Sequence, residues 1–192
     1  MKKKQERPRV LIEEWLPAAA IGVECMRERG SVSALAPHTY LHVWWARRPL
    51  CVSRAAVLAS LLPANFPRNI FERLLGFWGT SDQVIDAQKA LDYAKEVGEK
   101  IDNPHGQRAF KRALREGDLE KAHQAAITIW GTDIVVMDPM AGGGSIPLES
   151  ARLGFTTYAN EYNPVACSIL EATVDYPFRF GERLGQRTRI WG

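Results

Sequence analysis

With 192 residues, 46% apolar side chains and a mean hydropathy of −0.22, the chain has the make-up of a globular domain able to bury its own core, and no apolar run approaches bilayer-spanning length. Twenty-five Lys and Arg against 22 Asp and Glu leave a formal charge of +3, a mildly basic balance that permits contact with nucleic acid without requiring it. Cys25, Cys51 and Cys167 are scattered, which excludes a disulfide framework and a C-x-x-C zinc site, and the basic start at Lys2, Lys3 and Lys4 leads into no apolar signal core, so a cytoplasmic setting is expected.

The polar, basic residues 1–9 read as a solvated terminus, with a phosphate-contacting tail as the alternative. Residues 10–29 have helical periodicity interrupted at Pro17, with Leu11, Trp15, Ile21 and Met26 as the expected buried positions, and Gly30 ends them. A loop over 31–40, with room for a short helical turn, leads into His42-Val43-Trp44-Trp45-Ala46-Arg47-Arg48-Pro49. Two tryptophans beside two arginines suit base stacking with phosphate contacts, and suit equally one core tryptophan with locally paired arginines. His38 and His42, four apart with no third ligand, do not make a metal site. Residues 50–62 form a helix bounded by Pro49 and Pro63, whose small face (Ala55, Ala56, Ala59) is expected to pack on a sheet.

From 67 to 130 the pattern is helical. Ile70, Leu74 and Phe77 mark one helix. A second, through Val84, Leu91 and Val97, is expected to be capped by Ser81 or Asp82 and closed at Gly98. A third is expected to open at Asn103 and run through Phe110 and Leu114, and Gly117-Asp118 to separate it from a fourth holding Leu119, Ala122, Ala126 and Ile129. Lys100, Arg108, Lys111, Arg112 and Arg115 give this stretch a basic character that suits either a solvated face or a DNA-contacting one.

Ile134 to Met137 is an unbroken apolar run of the kind buried on both faces of a parallel sheet, and Asp138 tips it with a carboxylate. Gly142, Gly143 and Gly144 permit a tight turn, Ser145 is expected to cap the helix that follows, and Pro147 sits in its first turn. A second strand over 155–160 ends at Glu161. Asp138 and Glu161 stand 23 positions apart, close to the roughly 20-residue spacing at which an acid meets the ribose of a nucleotide-like cofactor. The lysine of a nucleoside-triphosphate loop is missing, and Asp138 would repel a dinucleotide pyrophosphate but attract the ammonium and sulfonium of S-adenosylmethionine. Asn163-Pro164 opens a further helix, which Tyr176-Pro177-Phe178 is expected to end.

Asp138-Pro139-Met140-Ala141-Gly142-Gly143-Gly144-Ser145 resembles the D-P-[FM]-x-G-x-G-[ST] motif of amino-methylating DNA methyltransferases, and Asn160-Glu161-Tyr162-Asn163-Pro164 resembles their second cofactor motif. The segment from His42 to Leu50 is similar to the H-P-x-x-K-P-x stretch that precedes the glycine motif in permuted members, with Val43 in place of proline and Arg48 in place of lysine. Together these resemble the N-terminal part of large adenine-specific DNA methyltransferases that begin with a domain of unknown function, the 1156 type, and carry a zinc ribbon further on. The resemblance implies an α/β fold: a partial Rossmann-like class I methyltransferase sheet with N-terminal helices and a helical insertion. The segments would be 1–64, a helical part with the tryptophan-arginine motif; 65–131, the insertion; and 132–192, the start of the sheet. It implies S-adenosyl-L-methionine as cofactor, bound by Asp138, Pro139, Ala141, Gly142, Gly144, Glu161 and Asn163, with Pro49 on the far wall. DNA would be the partner of Trp44, Trp45, Arg47 and Arg48.

The eleven prolines are never adjacent, so the [NDS]-P-P-[YFW] loop with which this group holds the target amine is not in the sequence. The expected role is therefore the cofactor-binding portion of an adenine N6 methyltransferase, inactive alone. The remainder would come from the same gene or from a separate subunit. A non-catalytic nucleic-acid-binding or assembly module is the alternative, and an NAD-linked oxidoreductase a third.

Overall fold

A computed structural model describes residues 7–30 and 36–191. The basic residues at 1–6, and 31–35 of the expected loop, lie outside the described residues. Two short helices open the chain, α1 (Leu11–Glu14) and α2 (Ala18–Arg29), broken at Pro17 as its ring dictates. Met26, expected inside, is three-quarters exposed, whereas Glu24 and Glu28 on the same helix are buried.

Pro49 starts α3 (Leu50–Leu61) but has no side-chain acceptor for the helix's first N–H groups. Glu28 supplies it from α2, accepting from the Leu50 N–H at 2.9 Å and the Cys51 N–H at 3.4 Å. Burial of that carboxyl raises its pKa, and these two N–H bonds oppose the rise.

Helices α4 (Arg68–Leu75), α5 (Ser81–Val97) and α6 (Glu116–Trp130) share one hydrophobic core with α1–α3, in which Phe71, Leu74, Val84 and Ala126 meet Leu11, Ile21 and Leu58. The cap of α5 is Thr80, in a reciprocal box with Gln83; Ser81, expected in that role, bonds Glu72 instead. The helix expected from Asn103 is a loop with one 3-10 turn at Ala109–Lys111. Asn103 turns its side chain onto the His105 N–H, and Gly106 takes a left-handed φ of 60°, so the local chemistry is that of a turn. Gly117 and Asp118 lie inside α6 rather than ahead of it, where Asp118 forms a two-pronged pair with Arg73 at 2.8 Å.

Strands β1 (Val135–Asp138) and β2 (Thr156–Ala159) pair in parallel, Val135 beside Thr156 and Asp138 beside Ala159, and are the two strands among the described residues. Helix α7 (Ser145–Arg152) forms the crossover between them. Only one face of this ribbon is covered: Val135 and Met137 are at least half exposed, contrary to the expectation of burial on both sides. Helix α3 packs chiefly along α7 rather than on the sheet, in a contact that holds a buried Arg54–Glu149 ion pair, and Ala55 and Ala59 of its small-residue face are buried in the core. After α8 (Pro164–Leu170) the helical path does not end at Tyr176 but passes through a π-helical turn, Glu171–Asp175, into α9 (Tyr176–Trp191), which is kinked at Gly181, where φ is 49°. No described helix is long and apolar enough to cross a membrane.

Candidate functional site

The glycine turn Pro139–Gly144 joins the carboxyl end of β1 to the amino end of α7, and a cavity of about 410 Å³ opens beside it. Asp138 and Glu161 both line this cavity, together with Ala141, Gly142, Gly143 and Asn163. Its opposite wall is the tryptophan-arginine segment, Trp44 to Arg48. Segments almost 100 positions apart in sequence thus enclose one space.

The turn is held by its own amides. The Met140 N–H donates to Asp138 Oδ1 at 3.2 Å, Ala141 to the Asn160 carbonyl at 3.0 Å, Gly142 to Glu161 Oε2 at 2.7 Å and Gly144 to the Ala141 carbonyl at 2.8 Å. Amides occupied in this way are not free to cradle a phosphate, which is what a nucleotide loop would use them for. Glu161 also accepts from the Tyr162 and Asn163 N–H groups at 2.8 and 3.2 Å. The Gly142 bond first, then those to Asn163 and Tyr162, holds its carboxyl below the usual glutamate range. Three of about four lone-pair positions on the carboxylate are then filled, and the last lies on Oε2.

Glycine is required at two places. Gly142 has φ 51°, and a Cβ there would stand 2.8 Å from Nε1 of Trp44, because that indole lies directly on the turn. Gly144 has φ 81°, and its Cβ would meet Leu170 at 2.8 Å and Val174 at 3.1 Å, so the π-helical turn is seated against the glycine motif. Gly144 itself, rather than Ser145, is the N-cap of α7. Ser145 instead donates to the Arg48 carbonyl at 2.7 Å and fastens the two walls of the cavity together.

The remaining expected site residues divide. Trp44, Trp45, Arg47 and Arg48 all face the cavity, with Trp44 half-buried and Trp45 87% exposed. Pro49 lies outside its lining, behind Arg48 in a small slot that also contains Glu28 and His38. Pro139 is exposed, with its carbonyl accepting from Asn160. Asn163 lines the cavity, and its side-chain oxygen caps α8 through the Val165 N–H at 2.9 Å. Two residues that matter to the site's rigidity escaped sequence reasoning: Arg54 and Glu149, both fully buried and paired across α3 and α7 at 2.5 Å. A single arginine in the otherwise uncharged Leu50–Leu61 helix was the available signal. No cluster of His, Cys, Asp and Glu among the described residues could hold a metal ion.

The profile of one family, described as "Protein of unknown function (DUF1156)", matches residues 15–78. That stretch holds α2, α3, α4 and the tryptophan-arginine wall of the cavity. No curated protein and no solved structure matches the chain.

Proposed function

We propose that the cavity beside the glycine turn binds S-adenosyl-L-methionine, and that the chain is the cofactor-binding portion of a DNA amino-methyltransferase directed at adenine N6. One observation carries this reading: both carboxylates that the strand-turn-helix-strand pattern singled out line a single cavity, and the Met140, Ala141, Gly142 and Gly144 amides of the turn beside it are already engaged. A phosphate-free cationic adenosine compound suits those two facts together; a dinucleotide suits neither. The volume lies within the roughly 300–1,000 Å³ of small-molecule sites.

Asp138, which accepts one backbone hydrogen bond, would face the ammonium, and the free lone pair of Glu161 would accept from a ribose hydroxyl. Arg47 and Arg48 would face the carboxylate of the same ligand, and Trp44 would form its floor. The cofactor supplies an electrophilic methyl group on sulfur. The α/β unit β1-α7-β2 is, in this reading, the first part of a Rossmann-like class I sheet. Its bare face would be covered by the rest of the enzyme, from the same polypeptide or a second subunit, which would also bring the proline-rich catalytic loop. DNA is the proposed partner of Trp45, which stands almost wholly in solvent beside two arginines.

That exposure also favours a second reading, a non-catalytic nucleic-acid-binding module. Calorimetric titration of the chain separates the two. Heat with S-adenosylmethionine that vanishes in Asp138→Ala and Glu161→Ala, and none with NAD, supports the cofactor site. Single-stranded DNA binding without any S-adenosylmethionine heat supports the second reading and overturns the first.

A further inference from the structure

A second cleft lies on the far side of α7 from the glycine turn, and the two share no lining residue. It has a volume of about 780 Å³ and is bounded by the 3-10 turn containing His38, the Gln107–Lys111 turn, the outer face of α7 and the π-helical turn. Leu41 and Leu148 give it apolar walls, and Leu41 is held 62% exposed at the rim.

The charged side chains of the lining are all of one sign, beside the neutral Gln107 and Thr173. Lys111 and Arg152 line the cleft, and no carboxylate does so among the described residues. Arg152 is fixed from behind, donating to Glu149 Oε1 at 2.7 Å and to the Phe110 carbonyl at 3.1 Å, with a third of its side chain left open. Lys111 has no ion pair among the described residues, and its ammonium lies 5.9 Å from the centre of the Phe110 ring. His38, only 8% exposed, lines both this cleft and the slot behind Arg48, and its Nδ1 has no hydrogen-bond partner. A buried polar atom left unpaired is destabilising, and a ligand anion could provide the partner. Burial lowers the imidazole pKa to about 4, and the ring is therefore neutral near pH 7 and able to donate one hydrogen bond.

Two cations beside apolar walls repel each other when the cleft holds only water and attract an anion that brings its own apolar body. An ammonium or a guanidinium is in general also attracted to the face of an aromatic ring, as Lys111 is to Phe110. We infer that this cleft is a binding site for an aromatic anion, a ring bearing a phosphate or a carboxylate, with Lys111 and Arg152 on the anionic group, His38 Nδ1 hydrogen-bonded to it, and Leu41 and Leu148 against the ring. The inference is independent of the cofactor reading.

The test is titration of the chain with 1-naphthyl phosphate, 1-naphthoate, adenosine monophosphate, 1-naphthol and inorganic phosphate, followed by calorimetry and by the His38 imidazole NMR signals. Naphthyl phosphate is expected to bind at least about tenfold more tightly than naphthol or inorganic phosphate, and to shift the His38 signals. Lys111→Gln and Leu41→Asp, both at exposed positions, should each weaken it by about tenfold without changing the thermal transition. Tighter binding of adenosine monophosphate than of naphthoate would support the inference with a nucleotide as the source, and the reverse would support it with an aryl carboxylate. Equal binding of naphthol, equal binding of bare phosphate, or no binding at about 1 mM of any probe overturns it.

Discussion

At the scale of single residues, Glu161 does more than face a ligand. Its carboxylate accepts the Gly142, Tyr162 and Asn163 amides and so clasps the glycine turn to the end of β2. Because the clasp lowers the folded pKa below the unfolded one, its contribution is complete above the ordinary glutamate range and is lost as pH falls through the folded value. The protection of the Gly142 amide, its exchange rate relative to the intrinsic rate at the same pH, should therefore be high at neutral pH and fall on acidification, and Glu161→Gln should lower it at pH 7 as well. Protection indifferent to both changes would rule the clasp out. Gly142→Ala adds a methyl to a left-handed residue 2.8 Å from the Trp44 indole. A loss of about 1–2 kcal/mol in urea denaturation, with a shift in tryptophan emission as Trp44 is displaced, is the expected outcome.

At the scale of elements, the join between α3 and α7 decides whether the two walls of the cavity keep their distance. Arg54 and Glu149 are both wholly buried, and Arg54 also reaches the Leu74 and Leu75 carbonyls that end α4. Removing one member leaves the other charge stranded, which costs about 3–5 kcal/mol, whereas replacing both by apolar residues of like volume recovers most of that. Denaturation midpoints should thus fall sharply in Glu149→Gln and return in the double variant Arg54→Met/Glu149→Leu. Equal losses in single and double variants would mean that packing, not charge, carries the contact. The second joint is the π-helical turn, whose Leu170 and Val174 neighbours leave no room for a Cβ at Gly144. The amino end of α7 thus packs directly against the end of α8 and the π-helical turn.

At the scale of the whole molecule, the bare ribbon face is the feature that the rest of the fold does not explain. Val135, Met137 and Tyr158 present apolar surface on a parallel pair, an arrangement ordinarily covered on both sides. In the isolated chain Met137→Asp should change stability by no more than about 0.5 kcal/mol, as measured by thermal denaturation. A large loss would mean that the face is packed, and would remove the argument for a covering segment.

Reading by pattern alone recovered β1, the glycine turn, α7 and β2, with Asp138 at the end of β1 and Glu161 just past β2 beside one cavity, because a strand-turn-helix-strand unit is built from local signals: an apolar run, glycines at positive φ and a proline in a first helical turn. It also recovered α3, bracketed by Pro49 and Pro63. It misplaced the caps of α5, expected at Ser81 or Asp82, and of α7, expected at Ser145: Thr80 caps α5 because its side chain accepts from the Gln83 N–H, and α7 begins after a left-handed Gly144 with no side-chain cap, neither of which composition alone distinguishes from its neighbours. It missed that α3 lies on α7, that Trp44 rests on Gly142 and that Ser145 ties to Arg48, because each of these joins residues nearly 100 positions apart. Local backbone preference and hydrophobic period are written residue by residue and determined the elements. Which elements face one another depends on how buried charge and apolar volume are reconciled across the entire chain, and only the tertiary structure decided that.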